Sequence, residues 1–347
     1  MTRRSPNAPV TRRTFVKTGT ASAAALAGLA SAAVSRVHAA GSDRLRVGLL
    51  GCGGRGAGAA VNALNAAENV ELYALADLFQ DKLDRARKLI EAEAEKGGMP
   101  AGASVKVTPE RMFSGFDGYK QLMATDVDIV LLCCPPGFRA RHLKAAVEAG
   151  KHVFMEKPGG VDPVGIRSLI ASSELAEKKG LSIVAGTQRR HEAKYLEIMR
   201  RIHDGAIGEI VAGQIYWMCA MEKWHYTPRD PAWSDMEWQV RNWPFFSWLS
   251  GDHFVEQHLH NIDVMNWSMS GVPKQILGLG GRQVRVSPEF GHIYDHFAVE
   301  FEFANGVRFA SYARQIEGCA NRVAERIVGT KGVAEPSSGI ITGASPF

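Results

Sequence analysis

Gly51-Cys52-Gly53-Gly54-Arg55-Gly56 closes one short apolar run, Leu45 to Leu50, and opens an amphipathic stretch. The spacing G-x-G-x-x-G suits a turn that cradles a pyrophosphate. Gly51 permits the tight bend, and Gly53 lets the backbone come close to phosphate. Gly54 and Arg55 stand where helix N–H groups face an anion, and Gly56 lets that helix pack near the strand. A second apolar run, Val70 to Ala76, ends on Asp77, placed to accept hydrogen bonds from a ribose diol. The strand before, the helix after and the acid together specify a dinucleotide site, which the motif alone does not. The Asp77 carboxylate would repel a 2′-phosphate, which favours NAD over NADP; the nearby cations Lys82 and Arg55 keep NADP open.

Two further groups could carry chemistry. Glu156-Lys157-Pro158 follows the apolar run 151–155. Pro158 restricts the residue before it to extended geometry. Lys157 therefore falls at the carboxyl end of a strand, the edge where open α/β sheets bind ligands. An ammonium there can hold a substrate hydroxyl; equally, it can be a solvated loop lysine. The second group is Gly251 to Asp263. A helix starting near Phe254 would place Glu256, His260 and Asp263 on one face. A neutral imidazole there suits taking a proton from an alcohol, although a Glu–His pair at a helix start is the plainer reading. His253-x-x-Glu256-x-His258 is one residue too long for a zinc H-x-x-E-H motif, so no metal is expected.

These residues require a scaffold. Short apolar runs at 45–50, 70–76, 127–133, 152–155 and 182–184 alternate with helical patterns near 55–66, 80–95, 139–149 and 163–179. Such alternation implies an α/β fold with a doubly wound parallel sheet of Rossmann type. The segment 96–118 reads as a loop with one poor strand at 104–107. After Gln188 the pattern changes to a helix at 191–204 and strands at 209–221, 275–286, 292–302, 308–315 and 321–329. That predicts an α+β domain with a mostly antiparallel sheet. The expected division is a leader over 1–39, a nucleotide domain over 43–186 and a substrate and oligomerisation domain over 187–347, short at its C-terminal end.

The leader reads as a twin-arginine export signal. Arg12-Arg13-Thr14-Phe15-Val16-Lys17 precedes a run of 17 residues without formal charge, Thr18 to Val34, and Val37-His38-Ala39 offers a cleavage site. The run is too rich in Ala and Gly for a convincing membrane span. The leader holds six of the 41 basic side chains and no acid, leaving 35 against 36 acids. The remainder is near neutral, which removes electrostatic support for nucleic-acid binding. Export after folding implies a nucleotide loaded inside the cell and then held tightly. The five cysteines lack metal-ligand spacing, and Cys133-Cys134 reads as a pair of buried thiols. All seven tryptophans lie between 217 and 267, read mainly as packing for a long irregular segment. The other reading is a loop that stacks on sugar faces.

In order and spacing, Leu45 to Gly332 resembles the glucose–fructose oxidoreductase/inositol dehydrogenase/MocA family. The resemblance rests on Gly51–Gly56, Pro136, Gly150-Lys151-His152-Val153, Glu156-Lys157-Pro158, Gly186-Thr187-Gln188-Arg189-Arg190, Gly205-Ala206-Ile207-Gly208 and His260-Asn261-Ile262-Asp263. It implies a nicotinamide cofactor, a homo-oligomer built on the second sheet, and a secondary alcohol of a sugar or polyol as substrate. It places Pro136, Glu156 and Lys157 beside the cofactor, with Lys157 and His260 catalytic. Glu256 falls where the family has Asp. Gln188, Arg189, Glu256, His258 and Asp263 are the residues implied to face substrate. Two other functions stay open: a glycosidase or lyase of the same fold working through transient sugar oxidation, and a non-catalytic nucleotide- or sugar-binding protein.

Overall fold

The computed structural model describes residues 44–220 and 223–347; the expected leader lies outside them. Strands β1 (Leu45–Leu50), β2 (Val70–Asp77), β3 (Ser104–Val105), β4 (Met112–Ser114), β5 (Ile129–Leu132), β6 (His152–Met155) and β7 (Ile183–Ala185) form one parallel sheet. Its order is β3-β2-β1-β5-β6-β7, with β4 also on β2. Helices α1 (Gly54–Leu64), α2 (Gln80–Glu95), α3 (Gly118–Met123), α4 (Pro136–Glu148) and α5 (Pro163–Lys178) make the connections. The chain runs outward from β1 to β2, then returns to place β5 on β1's other side. The crevice at the carboxyl ends of β1 and β5 is thus the topological switch point, where open α/β sheets bind ligands.

The strands read as unbroken apolar runs because helices cover both faces. Leu49, Leu75 and Leu132 have no exposed surface, and cutting such a side chain to Ala costs about 2–5 kcal/mol. Helix α5 starts where the sequence dictates: the Asp162 carboxylate accepts from the Gly165 amide at 2.8 Å and Pro163 fills the first turn. The loop 96–118 departs from expectation, since it contributes two very short strands, β3 and β4, that share the edge of β2.

The second sheet contains β8 (Ile210–Cys219), β9 (Gln275–Gly281), β10 (His296–Glu302), β11 (Arg308–Gln315), β12 (Arg322–Gly329), β13 (Gly332–Glu335) and β14 (Ile340–Gly343). Their order is β14-β13-β12-β8-β11-β10-β9. Only the β8–β11 pairing is parallel. Helix α6 (Ala193–His203) packs Tyr195, Ile198 and Met199 with Ile215, Phe301, Phe309 and Ile327 on one face. At Gly213 a Cβ would lie 2.0 Å from the Phe309 ring, so glycine makes room for that ring. Short helices α7 (Asp235–Arg241), α8 (Ser247–Ser250) and α9 (Asp252–Glu256) precede α10 (Leu259–Ser268), whose Val264 and Met265 join the same core.

Two expected strands are shorter than their apolar runs. The Asp295 carboxylate accepts from the amides of Gln283, Val284 and Arg285 at 2.6–3.0 Å, which takes those donors from the ladder. β9 therefore stops at Gly281 and β10 starts at His296. Among the described residues, no helix is long and apolar enough to cross a membrane.

Candidate functional site

The glycine turn between β1 and α1 opens on a cavity of about 870 Å³, at the upper end of ligand sites. Gly51 has φ +98°, and a Cβ there would lie 2.4 Å from the Cys134 amide nitrogen. At Gly56 a Cβ would sit 1.9 Å from the Gly51 carbonyl oxygen, which is why the helix can start so close to the strand. Gly53 and Gly54 differ: a Cβ on either meets nothing within 4 Å. Their missing side chains leave the cavity floor open at the N-terminus of an 11-residue helix. The fold does not need glycine there, whereas a pyrophosphate approaching the backbone would.

Asp77 ends β2 against this turn, accepting from the Cys52 amide at 2.6 Å and the Phe79 amide at 3.0 Å. Burial pushes its carboxyl up, against the pull of those amides. It lines the cavity together with Lys82. Arg55 Nε donates to Glu156 Oε1 at 2.5 Å, joining the start of α1 to the residue that follows β6. Pro135 lines the cavity. Pro136 does not: it is the buried first residue of α4, so its expected place beside the cofactor passes to its neighbour. Cys133 and Cys134 are free thiols, pushed up by burial to about 12 and about 11.

Lys157 enters the same cavity from the end of β6. Its Nζ donates to Glu256 Oε1 at 2.6 Å and to the Glu256 carbonyl at 2.5 Å. Glutamate at 256 therefore reaches the ammonium directly. The helical face expected for Glu256, His260 and Asp263 is not formed, because α9 ends at Glu256 and α10 begins at Leu259. His260 is 6% exposed and lies outside the cavity lining, its ring stacked on Trp217 with centroids 5.9 Å apart. Burial, then the Lys157 charge, then Arg189 push it down to about 3, so the imidazole is neutral.

Three residues expected at the substrate are committed elsewhere. Arg189 forms a buried ion pair with Glu325, which also accepts from Asn261 Nδ2 at 2.7 Å. His258 has no exposed surface; its Nε2 meets Ser311 Oγ at 2.7 Å and its Nδ1 meets Asn261 Oδ1 at 3.3 Å. Asp263 accepts three hydrogen bonds of 2.9–3.0 Å from Arg190. His258 and Asn261 tie the start of α10 to the second sheet, Asp263 ties the helix to Arg190 in the turn before α6, and none of Arg189, His258 and Asp263 lines the cavity. Gln188 and Glu256 do line it.

The structure adds His191, Trp224, His225, Arg241 and Trp243 to the cavity wall. The last four come from the aperiodic tryptophan-rich segment, where no spacing marked them. The two readings of that segment divide by residue: Trp224 and Trp243 face the cavity, while Trp238 packs with Phe245, Phe246 and Leu249 in a local core. Arg241 lines the cavity on the side of α2. It donates to both Asp81 oxygens at 3.0 and 3.2 Å and stacks 3.8 Å over the Phe79 ring.

An open glycine floor at the switch point, an acid on the next strand and a half-buried ammonium in one cavity are the layout of a dinucleotide-binding Rossmann fold. Residues 45–187 match the oxidoreductase family with an NAD-binding Rossmann fold, and residues 195–335 match the GFO/IDH/MocA C-terminal domain. The chain belongs to the Gfo/Idh/MocA family.

A glycosyl hydrolase family 109 protein of Shewanella amazonensis is 31% identical over 222 residues, covering 60% of this chain and 46% of that protein. Myo-inositol 2-dehydrogenase of Thermotoga maritima is 24% identical over 251 residues, covering 72% and 62%. The chain thus spans about half the length of several curated relatives it matches. Among solved structures, scyllo-inositol dehydrogenase of Lactobacillus casei with bound NAD(H) and scyllo-inositol aligns at TM-score 0.61 and 20% identity, covering 84% of this chain and 76% of that one. Aldose-aldose oxidoreductase of Caulobacter crescentus complexed with glycerol gives 0.63 and 20%, covering 88% and 83%.

Proposed function

We propose that this protein transfers hydride between a tightly held nicotinamide cofactor, NAD in preference to NADP, and a secondary alcohol of a sugar or polyol. One observation carries the reading: the Lys157 ammonium and the open glycine floor share one cavity. When bound, the cofactor supplies the hydride chemistry. The chain supplies binding and proton handling. Gly51 to Gly56 would receive the pyrophosphate and Asp77 the ribose diol, with Pro135, Arg55 and Glu156 bordering the same space. Lys157, pinned by Glu256, hydrogen-bonds the reacting oxygen, and the Lys157–Glu256 pair, both members of which line the cavity, takes up the alcohol proton; His260 lies outside that lining. Gln188 borders the substrate end. The preference for NAD is supported by Arg241, whose charge is already taken up by Asp81 and Glu237, leaving Asp77 to oppose a 2′-phosphate.

Tight retention is supported by the same arginine. The segment bearing Trp224, His225 and Arg241 lines one wall of the cavity, and Arg241 ties it to the α2 side. We further propose export through the twin-arginine route, on Arg12-Arg13 and the uncharged run that follows. A homo-oligomer built on the second sheet is supported by its outer face: Leu277 is 70% and Leu279 69% exposed on edge strand β9.

Mass spectrometry of the nucleotide released from native protein, followed by absorbance monitoring with added sugars and polyols, tests the reading. Bound NAD that is reduced by an alcohol supports it, and a Lys157→Met variant should keep the nucleotide and lose turnover. Protein that carries no nucleotide and takes none up overturns it. The similarity to glycosyl hydrolase family 109 proteins favours one second reading, glycoside cleavage without net redox change. Product analysis separates the two, since only the second yields free sugar with no accumulated reduced cofactor or keto-sugar.

A further inference from the structure

Behind Glu256 lies a second, much smaller cavity, bordered by Trp224, Phe245, His253, Glu256, Arg285 and Gln315. Glu256 and Trp224 also border the main cavity, so they are the partition between the two. The chamber offers about 10 Å³ to the centre of a water molecule, the size of a single-water site.

Two of the side chains lining it, Glu256 and His253, carry buried polar atoms that no protein group satisfies. Glu256 Oε1 holds Lys157, but Glu256 Oε2 is buried with no hydrogen-bond partner. His253 is 4% exposed, and neither Nδ1 nor Nε2 has a partner. Its closest carboxylate oxygen, Asp252 Oδ1, stands 3.9 Å from Nε2, beyond hydrogen-bond reach. Buried polar atoms in native proteins are almost always satisfied, by ordered water where no protein group reaches. An anion would face the Glu256 carboxylate, and a cation would face Arg285 with Lys157 already beside Glu256. A neutral, small, two-way hydrogen-bonding molecule fits both walls.

We propose that this chamber binds one structural water, which donates to Glu256 Oε2 and to a ring nitrogen of His253, making His253 a positioning residue for the Lys157–Glu256 pair. The water supplies the second oxygen of Glu256 with the partner the protein withholds. It fixes the carboxylate plane, and hence where Lys157 Nζ sits in the main cavity. Burial, together with Arg285, His258 and His296, keeps the imidazole neutral, so one ring nitrogen is free to accept. The effect on catalysis rests on the role of Lys157 proposed above; the water site itself does not.

The test is a crystal structure of the full chain with ordered waters visible, joined to steady-state kinetics on His253→Phe and His253→Gln. The expected structure shows one density peak within about 3.2 Å of both Glu256 Oε2 and a His253 nitrogen. His253→Phe should lower kcat about tenfold, the loss of one charge-assisted hydrogen bond, with KM within about twofold and nucleotide content unchanged. His253→Gln, which can still bond the water, should restore most of kcat. An empty chamber in the wild type overturns the proposal without any substrate being needed. So does a kcat unchanged in His253→Phe, or a His253→Gln variant as impaired as His253→Phe. A wild type that binds the water yet turns over no alcohol defeats the oxidoreductase reading and leaves the water site standing.

Discussion

Gly53 and Gly56 belong to one motif, yet the structure predicts opposite consequences for replacing each with alanine. At Gly53 the backbone has φ −70° and ψ 179°, open to any residue, and the added Cβ meets nothing within 4 Å. Gly53→Ala should therefore fold as the wild type does, with an unchanged Tm. The methyl would instead stand between the turn and the approaching pyrophosphate. Losing even one charge-assisted N–H···phosphate bond, about 1.5–3 kcal/mol, weakens nucleotide binding roughly 10- to 150-fold.

At Gly56 the added Cβ lies 1.9 Å from the Gly51 carbonyl oxygen and 3.3 Å from Cys133 Cβ. Alanine improves helix propensity by about 1 kcal/mol, but overpacking against backbone costs up to about 3 kcal/mol. The clash wins, and Gly56→Ala should be destabilised by about 2 kcal/mol, with Tm lowered by several degrees. Thermal unfolding and NAD titration on nucleotide-stripped protein read both quantities. A Gly53→Ala variant that binds NAD as tightly as the wild type would refute the floor assignment. So would a Gly56→Ala variant with unchanged Tm, for the packing argument.

Arg241→Ala removes the exposed pair with Asp81 and the contact over Phe79, together about 1–2 kcal/mol; bound nucleotide should leave about 5- to 30-fold faster in a dilution assay, and an unchanged release rate would remove Arg241 from retention. Burial holds His142 down at about 4, His258 and His260 at about 3, and His253 well below its ordinary value. These four gain protons only on unfolding, so their stabilisation is complete above about pH 6.5 and lost as pH falls. Asp252, pushed up by burial to about 6, and Asp77 and Glu325, also raised by burial, offset at most three of those protons. Urea titrations should therefore show stability falling as pH drops below about 6, with a slope that reaches about 1.4 kcal/mol per pH unit near about pH 5, where the unfolded histidines are fully charged; flat stability there would contradict the neutral histidines. Leu277→Lys with Leu279→Lys puts two charges on the exposed edge strand; if the proposed homo-oligomer is built there, light scattering should show the wild type larger than one chain and the variant reduced to a monomer, with NAD binding kept.

The nucleotide half was legible because its signals are local. Turn glycines, a helix start and an acid closing the next strand are set by neighbours in sequence, and the unbroken apolar runs follow from burial on both faces. Lys157 was legible for the same reason, since Pro158 and the preceding strand fix its place on the sheet edge. Outside the nucleotide domain, sequence spacing misled where long-range partners decide. Helical periodicity put Glu256, His260 and Asp263 on one face, but the helix breaks at Gln257, and Asp263 turns to Arg190 while His260 stacks on Trp217. Arg189 and His258 look like binding groups in sequence, and only tertiary packing brings Glu325 and Ser311 to them, 136 and 53 residues away. Trp224, His225 and Arg241 carry no local pattern, and their place on the cavity wall depends on a long segment folding back across the switch point. Hydrogen bonding within a turn is written in adjacent residues. Which buried charge finds which partner is decided by chain segments that meet only in the folded molecule.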